Sequence, residues 1–101
     1  MPVSEGETYQ VYITPSARKE TKKLPRPVRE AIIEATHKLE RDPFAGERLT
    51  GSFHMLYSYH FTEGQSEYRI VYELDHSHSL VLVHLIHTRE NFYKKLKRLF
   101  K

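Results

Sequence analysis

The chain contains no cysteine, so it can form neither disulfide bonds nor thiolate zinc sites, and it requires no oxidising compartment. Long apolar runs are also missing: the longest covers about seven residues, at 80–86, whereas a membrane span needs roughly 18 to 20. The N-terminus is polar and lacks a basic segment followed by an apolar one, so no signal peptide is expected. We therefore predict a cytoplasmic protein that does not contact a membrane.

Hydrophobic residues make up 39% of the chain and aromatic residues 12%, which is typical of a folded globular protein. A length of 101 residues allows one modest core and is too short for a second lobe. We predict a single domain over residues 1–101, with its core between 9 and 99. Any active site in so small a domain is expected to be an open surface groove.

Positive charge is concentrated near the C-terminus. The net charge is +3, and the last thirteen residues hold six lysine and arginine residues but only one acidic residue, Glu90. Such a run is most often the solvated face of a helix. It becomes a candidate surface for binding phosphate groups only if other functional side chains lie nearby.

Two helices are predicted in the N-terminal half, after a first strand at Tyr9–Ile13. Thr14 and Pro15 provide an N-cap and a proline at the first helical position, which together open a short helix. From Pro27 onwards, apolar residues recur at spacings of three and four, which predicts an amphipathic helix that ends before Pro43. These two helices are expected to form a hairpin.

Three strands are predicted after a loop at 44–53, namely His54–Phe61, Glu67–Leu74 and Ser79–Ile86. Their connections are short, so the strands should form an antiparallel meander. The third is apolar at nearly every position, as a central strand would be, although periodicity alone also fits a buried helix. A short helix follows Arg89. The predicted fold is α+β, with an N-terminal strand and a helical hairpin packed on one side of an antiparallel β-sheet and a short C-terminal helix.

Seven histidines raise the question of a metal site. His76 and His78 flank a serine in a predicted turn, but a metal site needs three or four converging ligands, and an ordinary polar turn explains both residues. Nucleophilic catalysis is not indicated either, because cysteine is absent and no serine lies in a strand–turn–helix elbow. We therefore predict no metal and no cofactor.

Cleavage of RNA through its own 2′-hydroxyl needs only groups that transfer protons and cations that stabilise the charge on the phosphate. Arg69, His87 and Tyr93 are groups of these kinds. Because neighbouring strands lie about 4.8 Å apart, His60, Arg69 and His87 are expected to meet at one end of the sheet, with Tyr93 one turn later. Each has a structural explanation when taken alone, as an ion pair, a strand end, a core ring or a surface residue. Their predicted location at the same end of the sheet favours a functional explanation for the whole group.

The segments DPFAGERLTG, YRIVYE and HTRENFY together resemble the RelE/ParE superfamily of bacterial toxins, over almost the whole chain from Tyr9 to about Leu99. The resemblance implies the toxin of a type II toxin–antitoxin module. RelE-like members enter the A site of the 70S ribosome and cut messenger RNA without a metal, leaving a 2′,3′-cyclic phosphate. By motif, Arg69 matches the arginine that holds the scissile phosphate. His87 falls where these enzymes carry a basic residue, and Tyr93 where they carry a tyrosine.

This chain departs from the best-studied members in the strand at 54–61, where they have lysines and it offers Tyr57, Tyr59 and His60. Since an unperturbed histidine titrates near neutral pH, either His60 or His87 is expected to be the general base. Nearby basic residues are expected to bind the RNA backbone without reading its sequence. These are Arg48, Arg89, Lys94 and Lys95.

The resemblance leaves two alternatives open. ParE-like relatives share the fold but poison DNA gyrase, and generally lack the catalytic residues; the other alternative is an inactive or purely nucleic-acid-binding member. Either function implies a cognate antitoxin, which we expect to be a largely disordered segment that folds on binding and covers the basic groove or displaces the C-terminal helix. Promoter DNA is expected to be bound only by the toxin–antitoxin complex.

Overall fold

The computed structural model describes residues 8–88 and 92–99, except for the side chains at 92, 93, 95 and 99. Its strands form one sheet in the order β1-β5-β4-β3-β2. The elements are, in chain order, β1 (Gln10–Ile13), α1 (Pro15–Lys22), α2 (Arg26–Arg41), β2 (Glu47–Arg48), β3 (Leu56–Glu63), β4 (Ser66–Asp75), β5 (Leu80–Thr88) and α3 (Phe92–Leu99), with a short 3₁₀ turn at Gly51–Phe53.

The predicted helical hairpin is confirmed, and its ends follow from local hydrogen bonding. The backbone N–H of Ala17 donates to Thr14 Oγ1 at 3.3 Å, so Thr14 caps α1. The α2 helix ends at Arg41 because Asp42 leaves helical geometry and Pro43 cannot continue it. Within the part of the chain that is described, no helix is long and apolar enough to cross a membrane.

The antiparallel meander of β3, β4 and β5 is confirmed, but the sheet also contains a parallel pair. The β1 strand lies beside β5 in the same direction, with Gln10 opposite Leu80. The side chains of β5 are buried on both faces of the sheet, which accounts for its nearly continuous apolar sequence. The segment predicted as a loop contains the two-residue strand β2, in which Glu47 lies opposite Ser58. Its polar sequence carries no strand pattern, so the pairing depends on its position beside β3.

The side chains of β4 alternate between two cores, one on each face of the sheet. Tyr68, Ile70 and Tyr72 join the core beneath α1 and α2, on what we call the first face. Val71 points to the second face, where it packs with Leu96 of α3 in a smaller core. The helical hairpin therefore lies on one face of the sheet, as predicted, whereas α3 packs on the other face. The sequence of α3 shows that it needs an apolar surface but not which face provides one.

Tyr72 ties the loop after α2 to the middle of the sheet. Its buried hydroxyl donates to the Pro43 carbonyl oxygen at 2.7 Å and accepts from the Gly46 N–H at 3.0 Å. Burial raises the pKa of Tyr72 above its ordinary value, so the hydroxyl stays neutral. A Cβ atom at Gly46 would lie 2.7 Å from Tyr72 Oη and 2.9 Å from the Ser58 carbonyl oxygen. Only glycine fits there without displacing the Tyr72 hydroxyl or the Ser58 backbone.

We predict that Tyr72→Phe lowers the free energy of unfolding by about 1 to 3 kcal/mol, because it leaves two backbone groups without their partner. Urea denaturation measures this change. The matched control is Tyr12→Phe, since Tyr12 is 49% exposed and its substitution should alter stability by less than about 0.5 kcal/mol. Equal effects of the two substitutions would contradict the role given to the Tyr72 hydroxyl.

Candidate functional site

Three polar side chains cross the second face of the sheet, one from each of three adjacent strands. His60 of β3 lies directly opposite Arg69 of β4, and Arg69 lies directly opposite His87 of β5. Directly opposed residues of an antiparallel pair share a face, with Cβ atoms about 5 Å apart. The three residues, which we call the polar row, therefore lie at one end of the sheet, as the meander predicted.

The polar row is partly shielded from solvent. The side chain of Arg69 is 17% exposed and that of His60 is 34% exposed, and His87 is also of intermediate exposure. Apolar residues of the second core, including Val71 and Leu85, continue along the same face. A cation in such a setting interacts more strongly with an anion than it would in bulk water, because the effective dielectric constant is lower.

The alternation of β3 decides which of its side chains belong to this site. Tyr57 and Tyr59, which the sequence offered in place of lysines, pack into the first core and do not face the polar row. Ser58 and His60 occupy the intervening positions and point to the second face. Ser58 is 1% exposed and does not titrate. Of these two side chains, only the imidazole of His60 is of a type used in general acid–base catalysis.

Glu67 also belongs to this site, and the sequence reasoning missed it. Its Oε1 atom lies 3.7 Å from His60 Nδ1 and 3.8 Å from Arg69 Nη2. A glutamate at the start of a strand usually points into solvent, so its identity alone gave no signal. The signal was its spacing, because a residue two positions before Arg69 on a strand lies on the same face.

Each histidine of the polar row has a neighbouring group at Nδ1. His60 Nδ1 faces Glu67, and His87 Nδ1 lies 3.2 Å from Thr88 Oγ1 and 3.4 Å from the Thr88 carbonyl oxygen. His60 Nε2 is buried and, among the described residues, has no hydrogen-bond partner. Because the Thr88 hydroxyl can either donate or accept a hydrogen bond, the contacts of His87 are compatible with a proton on either ring nitrogen.

Not all of the predicted site residues come together here. Arg48 lies opposite Tyr57, which points to the first face, and its Nε donates to the His54 carbonyl oxygen at 2.7 Å. Lys94 is exposed on α3. Three further predicted residues lie outside the described part of the chain, either entirely or in their side chains. They are Arg89, Tyr93 and Lys95.

A second group of positive charges lies on α1 and the start of α2, where the sequence reasoning had seen only amphipathic helices. Between residues 18 and 29 there are six lysine and arginine residues, all exposed, and one acidic residue, Glu20. Ala17 packs α1 into the first core, so these charges lie across the sheet from the polar row. The basic residues are Arg18, Lys19, Lys22, Lys23, Arg26 and Arg29.

The histidines outside the polar row contact nearby carboxylates, hydroxyls, carbonyl oxygens or aromatic rings. His84 Nε2 lies 3.0 Å from Glu73 Oε1, and His78 Nδ1 lies 2.9 Å from Asp75 Oδ2. His76 stacks on a phenylalanine ring, with 5.6 Å between ring centroids. Over residues 8–88 and 92–99, no three histidine, aspartate or glutamate side chains converge as metal ligands would. The site combines imidazoles with a guanidinium, which suits proton transfer beside an anionic phosphate.

Comparisons with known proteins identify relatives of this fold. Residues 11–97 match the sequence profile of a family described as the ParE-like toxin of type II bacterial toxin–antitoxin systems. A search of curated proteins found no match. Among solved structures, the chain is similar to the toxin–antitoxin complex RelBE2 from Mycobacterium tuberculosis, with 27% identity and a TM-score of 0.70, over 81% of this chain and 99% of that one.

Two further structures share the fold at lower identity. A mutant of the E. coli toxin RelE in the free state is 22% identical, with a TM-score of 0.73, over 90% of this chain and 97% of that one. The archaeal RelE–RelB complex from Pyrococcus horikoshii is 24% identical, with a TM-score of 0.63, over 82% of this chain and 97% of that one.

The turn between β4 and β5 gives a prediction on protonation. Hydrogen bonds from the Ser77 hydroxyl and from His78 lower the pKa of Asp75 from 3.8 to about 2. A lowered folded-state pKa stabilises the fold above the unfolded-state value, and this contribution is lost as the pH falls towards 2. We predict that Ser77→Ala raises the pKa of Asp75 towards 3.8, as measured by the carboxyl ¹³C shift during an acid titration. An unchanged titration curve would show that the serine hydroxyl is not the main cause.

Proposed function

The chain belongs to the family of ParE-like toxins of type II bacterial toxin–antitoxin systems, and from this premise we propose that it is a ribosome-dependent endoribonuclease. In this proposal the toxin enters the ribosomal A site, cuts the messenger RNA there and so inhibits translation. The observation that carries the proposal is the polar row, which places one arginine between two histidines on the second face of the sheet.

Arg69 is the proposed phosphate-binding residue. Its guanidinium is partly shielded and lies between the two imidazoles, so it can stabilise the additional negative charge that develops on the phosphorus oxygens. Planar guanidinium groups bind phosphate oxygens through two parallel hydrogen bonds, which fixes the orientation of the phosphate as well as its position.

His60 and His87 are the proposed proton-transfer residues. One accepts the proton of the 2′-hydroxyl while the 2′ oxygen forms a bond to phosphorus, and the bond from phosphorus to the 5′ oxygen breaks. The other histidine, or Tyr93, donates a proton to the departing 5′ oxygen. The products are a 2′,3′-cyclic phosphate and a free 5′-hydroxyl. In this proposal the side chains supply both proton transfers and the charge stabilisation, so the step requires no metal or cofactor. Each proton transfer is typically worth about 10² to 10⁴ in rate.

The proposal includes two kinds of partner. The messenger and ribosomal RNA are bound through their phosphates by basic residues, of which Lys94 is exposed on the helix that covers the second face. The other partner is a cognate antitoxin, since similar chains such as that of RelBE2 are found in toxin–antitoxin complexes. Because the ribosome and the antitoxin are cytoplasmic, the proposal also implies a cytoplasmic location for the protein.

A second candidate function is inhibition of DNA gyrase, because the family description carries the name ParE. The two functions make different demands on the polar row. A gyrase inhibitor has no need of an arginine flanked by two titratable side chains, whereas a nuclease depends on them. The polar row therefore supports the nuclease, and the following experiment separates the two functions.

We predict ribosome-dependent cuts in a defined message when primer extension is performed with the wild-type protein. Arg69→Ala should slow the cleavage by about 10²- to 10³-fold, since it removes the group that stabilises the charge developed during the reaction. Arg41→Ala is the matched control, because Arg41 is an exposed arginine at the end of α2 and should leave the rate unchanged. Intact message with unchanged toxicity in all three proteins would reject the nuclease, and a supercoiling assay would then test gyrase.

Binding to the ribosome gives a further prediction. Joint replacement of Lys94 and Lys95 by alanine should weaken the affinity for ribosomes and flatten its dependence on salt concentration, because fewer counterions are released on binding. The affinity should be measured at several salt concentrations, together with the urea midpoint of the variant. Unchanged affinity and an unchanged slope would remove these two lysines from the interface.

A further inference from the structure

Glu67 places a carboxylate beside the polar row. Its Oε1 atom lies 3.7 Å from His60 Nδ1 and 3.8 Å from Arg69 Nη2. These are ion-pair distances, but both are too long for hydrogen bonds. The carboxylate therefore keeps acceptor positions for another ligand, and it can turn towards that ligand without breaking a hydrogen bond to either cation.

The register of the sheet places Glu67 one step beyond the polar row. Glu67 lies directly opposite Thr62, and each is two residues along its strand from a member of the polar row. Both therefore lie on the second face, about 7 Å from the polar row along the strands. Thr62 is exposed and the side chain of Glu67 is 35% exposed. These two residues, which we call the outer row, are within reach of a base next to a phosphate bound at Arg69.

A carboxylate only accepts hydrogen bonds, so it selects the part of an RNA that binds there. Phosphate oxygens are acceptors and are repelled, whereas the bases present N–H donors. Guanine alone has two adjacent N–H donors on its Watson–Crick edge, at N1 and N2, and these match the two oxygens of a carboxylate. Adenine and cytosine place an acceptor nitrogen beside their amino group, and uracil has one N–H between two carbonyl oxygens. Each of these three bases would turn an acceptor towards the carboxylate.

We propose that Glu67 is a specificity-determining residue, which binds guanine at one of the two nucleotides that flank the scissile phosphate. The inference rests on the proposed nuclease function. Two hydrogen bonds to an ionised acceptor are strong and directional. Contacts with phosphate position an RNA, while contacts with base edges select its sequence. Arg69 and the outer row thus divide these two tasks, and the guanine N–H groups offset the repulsion between the carboxylate and the phosphate.

The test measures cleavage on ribosomes of messages in which both flanking positions are randomised. At one of the two positions, the wild-type protein should cut guanine faster than any other base by about 5- to 150-fold. Glu67→Gln should move the preference to adenine or cytosine, because an amide presents one acceptor and one donor, as their edges require. Glu67→Ala should show no preference.

The matched control is Glu73→Gln. Glu73 is a glutamate of the same strand with a similar exposure, 37%, but it contacts His84 at 3.0 Å, away from the outer row. This variant should keep the preference for guanine. Inosine, which lacks the N2 amino group of guanine, should slow cleavage by the wild-type protein but not by Glu67→Ala. A purely structural role of Glu67 would lower the urea midpoint and slow all messages equally, without changing the order of the bases.

Binding without cleavage separates this inference from the nuclease. The probes are fluorescent hexanucleotides made only of 2′-deoxy nucleotides, which lack the attacking hydroxyl, with guanine, inosine or adenine at the central positions. Equal cleavage of all four bases by the wild-type protein, or a preference for another base, overturns the guanine site while the nuclease stands. If no message is cut but guanine probes bind most tightly and Glu67→Gln shifts that order, the nuclease fails and the guanine site stands. Absence of both cleavage and base preference overturns both.

Discussion

The register of β4 against its two neighbours is the constraint on which both the fold and the site depend. Side chains of β4 alternate between the two faces of the sheet, so a slip by one residue exchanges the two faces. Such a slip would move Tyr72 out of the first core and Arg69 into it, which would bury a charge and expose a tyrosine. The register that best buries the aromatic residues is thus also the one that aligns the polar row.

Because of this alternation, the first and second faces of the sheet have different roles. The first face carries most of the buried residues and the hydrogen bonds of Tyr72, so α1, α2 and the sheet are held together there. The second face has a smaller core, anchored by Leu96 of α3, and the polar row lies on this less extensively covered face. A functional site generally needs open surface, and placing it opposite the main core avoids a conflict between access and burial.

Much of the fold was predictable from local sequence patterns, since the helical hairpin and the three-strand meander follow from apolar spacing, capping and short connections. Three features of the fold could not be predicted from local patterns, because they depend on contacts between segments that are distant in sequence. The parallel pairing of β1 with β5, the short strand β2 and the face chosen by α3 all have this origin. For the site, the meander predicted that His60, Arg69 and His87 would meet. The register itself was needed to predict three other features of the site. Tyr57 and Tyr59 pack into the first core, Arg48 lies away from the polar row, and Glu67 contacts it.

The spacing within the polar row also bears on how two histidines divide the proposed reaction. Each is one strand from Arg69, so the two imidazoles lie on opposite sides of the guanidinium, with about 10 Å between their backbone positions. In a displacement at phosphorus, the attacking and departing oxygens lie roughly in line on opposite sides of the phosphate. A phosphate bound over Arg69 would present one oxygen towards each histidine. Because the two sides of the row are not equivalent, with Glu67 beside only His60, the surroundings rather than the residue type decide which histidine accepts the proton.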